Sequence, residues 1–269
     1  MMVNDKIPDF YEQYFDKNSY EMFKYDVGSY CTKRAIEQKI VLKQGSALEI
    51  GIGITSLLEN LQAFDCYGID IAQKTIDAAK TLFQSKGLQA TLLQACATQL
   101  PFTNNSFDLV VSSHVFEHIE QDEKALQEVA RVLKKNGLFI MFVPGSLNGK
   151  ASTEEWEKCR HYRNYNLAQI KRLEQASNGL LILSTISYEH KVHNLIWNKL
   201  KNVFRWANYP IKKWILRDNK TFESRKTYQR FLLPAIAYAL DNADNLVKRK
   251  ESYLLGVKFN VLAVFKKVT

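Results

Sequence analysis

Cysteine is scarce in this chain of 269 residues: Cys31, Cys66, Cys96 and Cys159 are scattered, with no CxxC pair and no Cys/His cluster. That spacing excludes a zinc-ribbon pattern and a disulfide framework, so reduced thiols and no bound metal are the expectation. Long apolar runs are missing as well. None approaches the ~18 residues that a membrane-spanning helix requires. The first residues, MMVNDKIPDF, lack the basic-then-apolar order of a secretory leader, which points to a cytoplasmic location. Low-complexity tracts and internal repeats are absent too.

What is present is an uneven charge. The formal net charge is +9. Between His190 and Arg230 eleven Lys and Arg stand against two acids, Asp218 and Glu223, so this one segment carries the whole excess. Three of the four tryptophans, Trp197, Trp206 and Trp214, lie there too.

Before that segment the hydrophobic pattern alternates between strand and helix. Residues 7–44 carry Phe, Tyr and Ile at helical spacing, and Gly45 closes that pattern. Short β-branched runs predict strands over 47–50, 66–71, 89–94, 107–113 and 138–143. Helices are predicted over 54–64, 73–86 and 120–134, the last ending in a Lys135-Asn136-Gly137 cap. Repeated strand–helix units imply a Rossmann-like, mostly parallel sheet with helices on both faces. A ligand in such a sheet binds beyond the carboxyl ends of the strands. The lining is therefore expected from residues 51–56, 70–73, 95–102, 112–119 and 144–165.

Gly51 and Gly53, in ALEIGIGITS, fall where the first strand turns toward a helix, and Asp70 ends the next strand. Alone, a GxG pair fits an ordinary tight turn as well as a ligand loop. An acid placed 19 residues after the first glycine can accept hydrogen bonds from both hydroxyls of a ribose, which favours an adenosine-containing ligand. The third glycine of a dinucleotide-binding GxGxxG is replaced by Ser56, so a cofactor with a ribose but no diphosphate fits better.

The blocks ALEIGIG, GIDIA, QLPFTNNSFDLVVSSHVFEHI and ALQEVARVLKKNGLFIMFVPG, in this order over about residues 45–190, resemble class I S-adenosylmethionine-dependent methyltransferases. The likeness is to the broad group that includes ubiquinone and menaquinone methylases. By matching position the resemblance implies that Glu49, Gly51 and Gly53 form the methionine and ribose turn. Asp70, with the adjoining Ile71, holds the ribose, Cys96 and Ala97 contact adenine, and Ser112 and His114 wall the methyl group. Two departures stand out: Thr55 replaces the family's third glycine, and Cys96 replaces the acid that often bonds the adenine amino group. It also implies that Leu180–Tyr188 and residues 258–266 are the sixth strand and the antiparallel seventh.

Methyl transfer from a sulfonium is an in-line displacement that depends mainly on positioning and exclusion of water, with a base added for oxygen or carbon acceptors. His114, His118 and His161 are the candidate catalytic residues, with Glu117 and Glu154 in reserve. For His118 a helix-buttressing role stands beside the catalytic one, and for His161, in CRHYRNYN, an entry turn before a helix over 167–176.

The expected organisation is an N-terminal helical cover (1–44), a core (45–189 and 257–269) and a basic helical lid (190–256) between the last two strands. An amphipathic stretch that mixes aromatics and cations suits a plain cap, an anionic membrane surface met through residues 190–230, or nucleic acid, the last being the weakest fit. The expected acceptor is a small molecule, with a lean to a hydrophobic or lipid-linked one. A soluble sugar or secondary metabolite, an RNA, and a non-catalytic cofactor-binding role are the rivals.

Overall fold

The computed structural model describes residues 27–53, 56–188 and 259–269. The expected lid, its basic segment, the N-terminal part of the cover and the departure at Thr55 lie outside the described residues. In chain order the elements are α1 (Val27–Glu37), β1 (Gly45–Ile50), a 3-10 turn (Leu57–Asn60), β2 (Phe64–Asp70), α2 (Gln73–Lys86) and β3 (Thr91–Gln94). There follow β4 (Phe107–Ser113), a 3-10 turn (Phe116–His118), α3 (Asp122–Val132), β5 (Leu133–Gly145), α4 (Thr153–Cys159), α5 (Leu167–Ala176), β6 (Leu180–Tyr188) and β7 (Phe259–Lys267).

The seven strands form one sheet in the order β3-β2-β1-β4-β5-β7-β6. β1 to β5 pair in parallel, and β7 runs antiparallel between β5 and β6. Alternate residues of each strand serve opposite faces, as the two-residue period requires. Leu48, Val110, Phe139, Met141 and Phe265 pack with α3 and α5, through Leu126, Val129, Ile170 and Leu173. Ala47, Leu109, Val111, Ile140, Phe142 and Leu262 pack on the other side with α1 and α2, through Ile36, Ile76 and Phe83. The near-continuous apolar strands reflect burial on both faces.

Several boundaries differ from the sequence reading, each for a local reason. The cover helix ends at Glu37 rather than at Gln44, because tight i→i+3 bonds from Lys39 N to Ile36 O and from Ile40 N to Glu37 O close it. The helix expected over 54–64 is, in its described part, a single 3-10 turn. Leu57, Leu58 and Leu61 are all buried, and bonds from Leu61 N to Leu58 O and Phe64 N to Leu61 O bend the chain straight into β2. The helix expected to reach residue 134 stops at Val132, where Leu133 turns extended and begins β5. Asn136 does adopt the left-handed conformation, at φ 65°, but inside the irregular entrance of β5 rather than as a helix cap. α4, which the sequence pattern did not reveal, is started by a reciprocal capping pair between Ser152 and Glu155.

Behind the carboxyl ends of the strands, one buried carboxylate ties the layers together. Asp122 opens α3 and its Oδ2 lies 2.7 Å from both Arg163 Nη1 and Arg172 Nη2, while the Tyr165 hydroxyl donates to it at 2.9 Å. Tyr165 is itself fully buried and also donates to Phe116 O. The cluster thus fastens α3, α5 and the 161–165 turn to one another. Removing one partner of such a buried network strands the remaining charges. Asp122→Ala is expected to lower the unfolding free energy by about 3 kcal/mol or more in urea titrations; a loss under about 1 kcal/mol would mean the cluster is decorative.

Candidate active site

The turn after β1 is held from beneath by Glu49. Its carboxylate is buried and accepts from Ser56 Oγ at 2.6 Å, from Leu57 N at 2.9 and 3.0 Å and from Leu58 N at 3.3 Å. Lys33 approaches the same turn, donating from Nζ to Ser56 O at 2.7 Å. Burial pushes the Glu49 carboxyl up to about 7, against the opposing pull of Ser56, the Leu57 amide and Lys33. Glu49, expected as a cofactor contact, is not in the cavity wall; its carboxylate shapes the loop from beneath.

The two glycines do different work. Gly51, at φ 73°, has no room for a Cβ, which would sit 2.2 Å from Val115 Cγ2, so its bareness admits the loop after β4. At Gly53, φ 47°, a Cβ would meet nothing among the described residues nearer than Gly51 O at 4.0 Å. Gly53 N donates to Asp70 Oδ2 at 3.1 Å and Ala72 N to Asp70 Oδ1 at 3.0 Å. Asp70 therefore joins the glycine turn to the start of α2.

These groups line a cavity of about 360 Å³. Gly51, Gly53, Asp70, Ile71, Cys96, Ala97 and His114, all predicted as cofactor residues, are in its wall. Cys96 Sγ lies 3.1 Å from Thr98 Oγ1, so its thiol has a neighbour of its own. Ser112 is not in the wall. It is fully buried with no hydrogen-bond partner for its hydroxyl among the described residues, and Ser113, one step on and therefore on the other face of the strand, lines the cavity instead.

The same wall gathers Glu117, His118, His161 and Cys159. His114 Nδ1 lies 3.3 Å and His118 Nε2 3.8 Å from Glu117 Oε1. The rings of His118 and His161 meet edge to face at 4.7 Å between centroids. Burial alone would raise the Glu117 carboxyl, but His114 and His118 outweigh it and hold it below the usual range. Burial lowers His118 more than Glu117 raises it, which favours the neutral imidazole. The left-handed backbone of His114, φ 54°, aims its ring along Phe142 and toward Glu117. Glu154 is exposed at the start of α4 and lies outside the wall. Val115 and Cys159 fall within the segments expected to line the site, 112–119 and 144–165, although neither was singled out as a functional residue. Cys159 is brought in by α4, an element without a strong hydrophobic period.

A sheet in this order, with a glycine turn after its first strand and a ribose-type acid after its second, defines a Rossmann-like domain for a nucleoside cofactor. Residues 48–141 match the family described as Methyltransferase domain. Over these residues, about a third of its length, the chain carries a methyltransferase domain. It is 34% identical over 92 residues to an uncharacterized methyltransferase, YcgJ, of Bacillus subtilis, a match spanning 34% of this chain and 36% of that protein. Over 96 residues it is 31% identical to demethylmenaquinone methyltransferase of Thermus thermophilus, covering 35% of this chain and 44% of the other. In both cases the chain spans less than half of the relative. Phosphoethanolamine N-methyltransferase 2 of Haemonchus contortus, solved with phosphomonomethylethanolamine and S-adenosylhomocysteine, shares the fold at TM-score 0.61 and 17% identity, over 88% of this chain and 52% of that one.

Two tests follow from the glycine turn. Asp70→Ala removes the acceptor shared by the glycine turn and the sugar, and isothermal titration is expected to show S-adenosylmethionine bound about 30- to 100-fold more weakly, the worth of a charged hydrogen bond. An unchanged affinity would remove Asp70 from the site. For Glu49 the folded carboxyl titrates above its ordinary 4.5. Between these values the unfolded chain has lost a proton that the folded chain keeps, so the stability Glu49 contributes is full below pH 4.5 and is lost as pH rises through about 7. The penalty of Glu49→Gln in urea unfolding is therefore expected to shrink by about 2 kcal/mol from pH 5 to pH 8; a penalty constant with pH would contradict it.

Proposed function

We propose that this chain transfers the methyl group of S-adenosylmethionine to a small-molecule acceptor with an apolar body and one polar end. The observation that carries the reading is one cavity whose wall brings together a glycine turn and Asp70, a buried Glu117 with imidazoles, and the apolar Ile50, Ile69, Val115 and Ile119. When bound, the cofactor supplies an electrophilic methyl on a sulfonium. The protein's part is to seat the acceptor atom in line with it, at about 3 Å, and to keep water out. His114, His118 and His161 make this part of the wall polar, which fits an ionisable O–H or N–H better than bare carbon. No covalent bond to the protein is needed.

An acceptor that is hydrophobic or lipid-linked is the finer part of the proposal. It is supported by the apolar walls and by likeness to a methyltransferase named for a quinone acceptor. The cationic, tryptophan-rich segment 190–230 supplies the composition for contact with an anionic membrane surface, from which such an acceptor would be drawn. No described helix is long and apolar enough to cross a membrane.

Incubation of the purified protein with methyl-labelled S-adenosylmethionine and an extract of its own host tests the acceptor class. Label is expected in the organic phase. Label confined to the aqueous phase would replace the apolar acceptor with a soluble metabolite, and acid-precipitable label would replace it with RNA or protein. Cofactor binding without label in any fraction would leave a binding protein rather than an enzyme.

A further inference from the structure

Glu117 is a carboxylate with no solvent exposure, yet neither of its oxygens receives a well-aligned hydrogen bond. Buried polar groups in folded proteins are paired in the great majority of cases, and a buried ionised carboxylate is costly when it is not. The Nδ1 atom of His161 is likewise buried and has no hydrogen-bond partner. One donor atom each from Glu117, His118 and His161 lies within 4.8 Å of the others, all on the cavity wall. A buried carboxylate and an imidazole nitrogen, both without hydrogen-bond partners among the described residues and converging with a second imidazole on one point of a cavity, are better explained by a cation than by packing.

We propose that Glu117, His118 and His161 form a binding site for a divalent cation of the zinc type. Two imidazoles and a carboxylate are a ligand set used by catalytic zinc, and with open positions by non-haem iron. Hard cations that prefer all-oxygen cages, such as calcium, suit it poorly. At metal–ligand bonds near 2.1 Å, tetrahedral donors stand about 3.4 Å apart, so a closure of roughly 1 Å across the trio seats the ion. His118 Nε2 already faces Glu117 Oε1 at 3.8 Å, close to that spacing. His114 stands at 3.3 Å from Glu117 as its orienting partner, and the Cys159 thiol shares the wall.

Three protein ligands leave a fourth position that opens into the cavity. What fills it rests on the methyl-transfer reading, whereas binding of the ion does not. In that reading the acceptor's hydroxyl oxygen takes the position and gives up its proton to solvent. The oxygen then forms the new O–CH3 bond as the S–CH3 bond breaks, its electron pair staying on sulfur. The cation so does the work that a general base would otherwise do.

Cobalt(II) reports this site directly, since a low-coordinate imidazole–carboxylate environment gives intense visible absorption that the hydrated ion lacks. The chelator-treated wild-type chain is expected to develop that band at one equivalent of Co²⁺ and to lose it when one equivalent of Zn²⁺ is added. Glu117→Gln and His161→Asn are each expected to abolish the band and weaken Zn²⁺ at least about 100-fold. His161 is partly exposed, so its variant keeps the test open should Glu117→Gln fold poorly. A wild-type chain without the band, or a band that survives both substitutions, overturns the proposal. S-adenosylmethionine titrated into the same samples separates the two readings: cofactor binding with no cobalt band removes the ion alone, while a cobalt band with no cofactor binding removes methyl transfer alone.

Discussion

A carboxylate at the end of the first strand governs how this domain meets its cofactor. Glu49 is out of water and satisfied by one hydroxyl and two backbone amides of the segment that follows the glycine turn. Those amides are at the start of a 3-10 turn and have no partner within it, so the side chain does for them what a helix's own carbonyls cannot. With residues 56–58 anchored this way, the intervening Gly51 and Gly53 are held open over the strand ends. Gly53 N is then free to meet Asp70, and Asp70 in turn meets the start of α2. The chain of dependence runs from a buried acid outside the cavity wall, through the anchored turn, to Gly53 and Asp70 in that wall.

Two parts of the site are built on opposite principles. At the glycine turn, both oxygens of Asp70 and the oxygens of Glu49 are matched to amides and a hydroxyl, which gives a pre-formed cradle needing little rearrangement. In the other part Glu117 is buried with imidazoles near but misaligned, so electrostatic work there awaits something that arrives later. The contrast suits a protein that binds one constant ligand and one reacting partner. It also explains why Asp122 matters from a distance. By pinning Arg163 and Tyr165 it fixes the stretch that presents His161.

Much of this was legible in the residues. The alternation of β-branched runs with amphipathic stretches yields the strands of the sheet, and Gly51, Gly53 and Asp70 are recognisable because only their spacing lets a turn and an acid face one ribose. The limits were physical as well. Glu49 is indistinguishable in sequence from a ligand contact, since matching position carries no information about which way a carboxylate turns. Ser112 and Ser113 are adjacent and chemically identical, and only the strand's register separates the buried one from the lining one. The helix expected after the glycine turn was misleading because buried leucines at 57, 58 and 61 have the spacing of a helical stripe, whereas i→i+3 bonds bend the chain into β2 after one 3-10 turn. α4 is one short capped segment, and its seven residues are too few for periodicity to show.

The left-handed backbone at His114 bears on how this site can evolve. A non-glycine residue at φ 54° is tolerated mainly when it is Asn, Asp or His, and is costly when it is β-branched. Position 114 sits where β4 gives way to the loop, with its ring against Phe142 and its nitrogen toward Glu117. The backbone thus restricts the side chains available at a wall of the reaction chamber to a short, mostly polar set. Divergence toward new acceptors is steered away from this position. The neighbouring Val115, Ile119 and Cys159 carry no such restriction, and there the inherited variation that reshapes acceptor choice can accumulate without bending the chain.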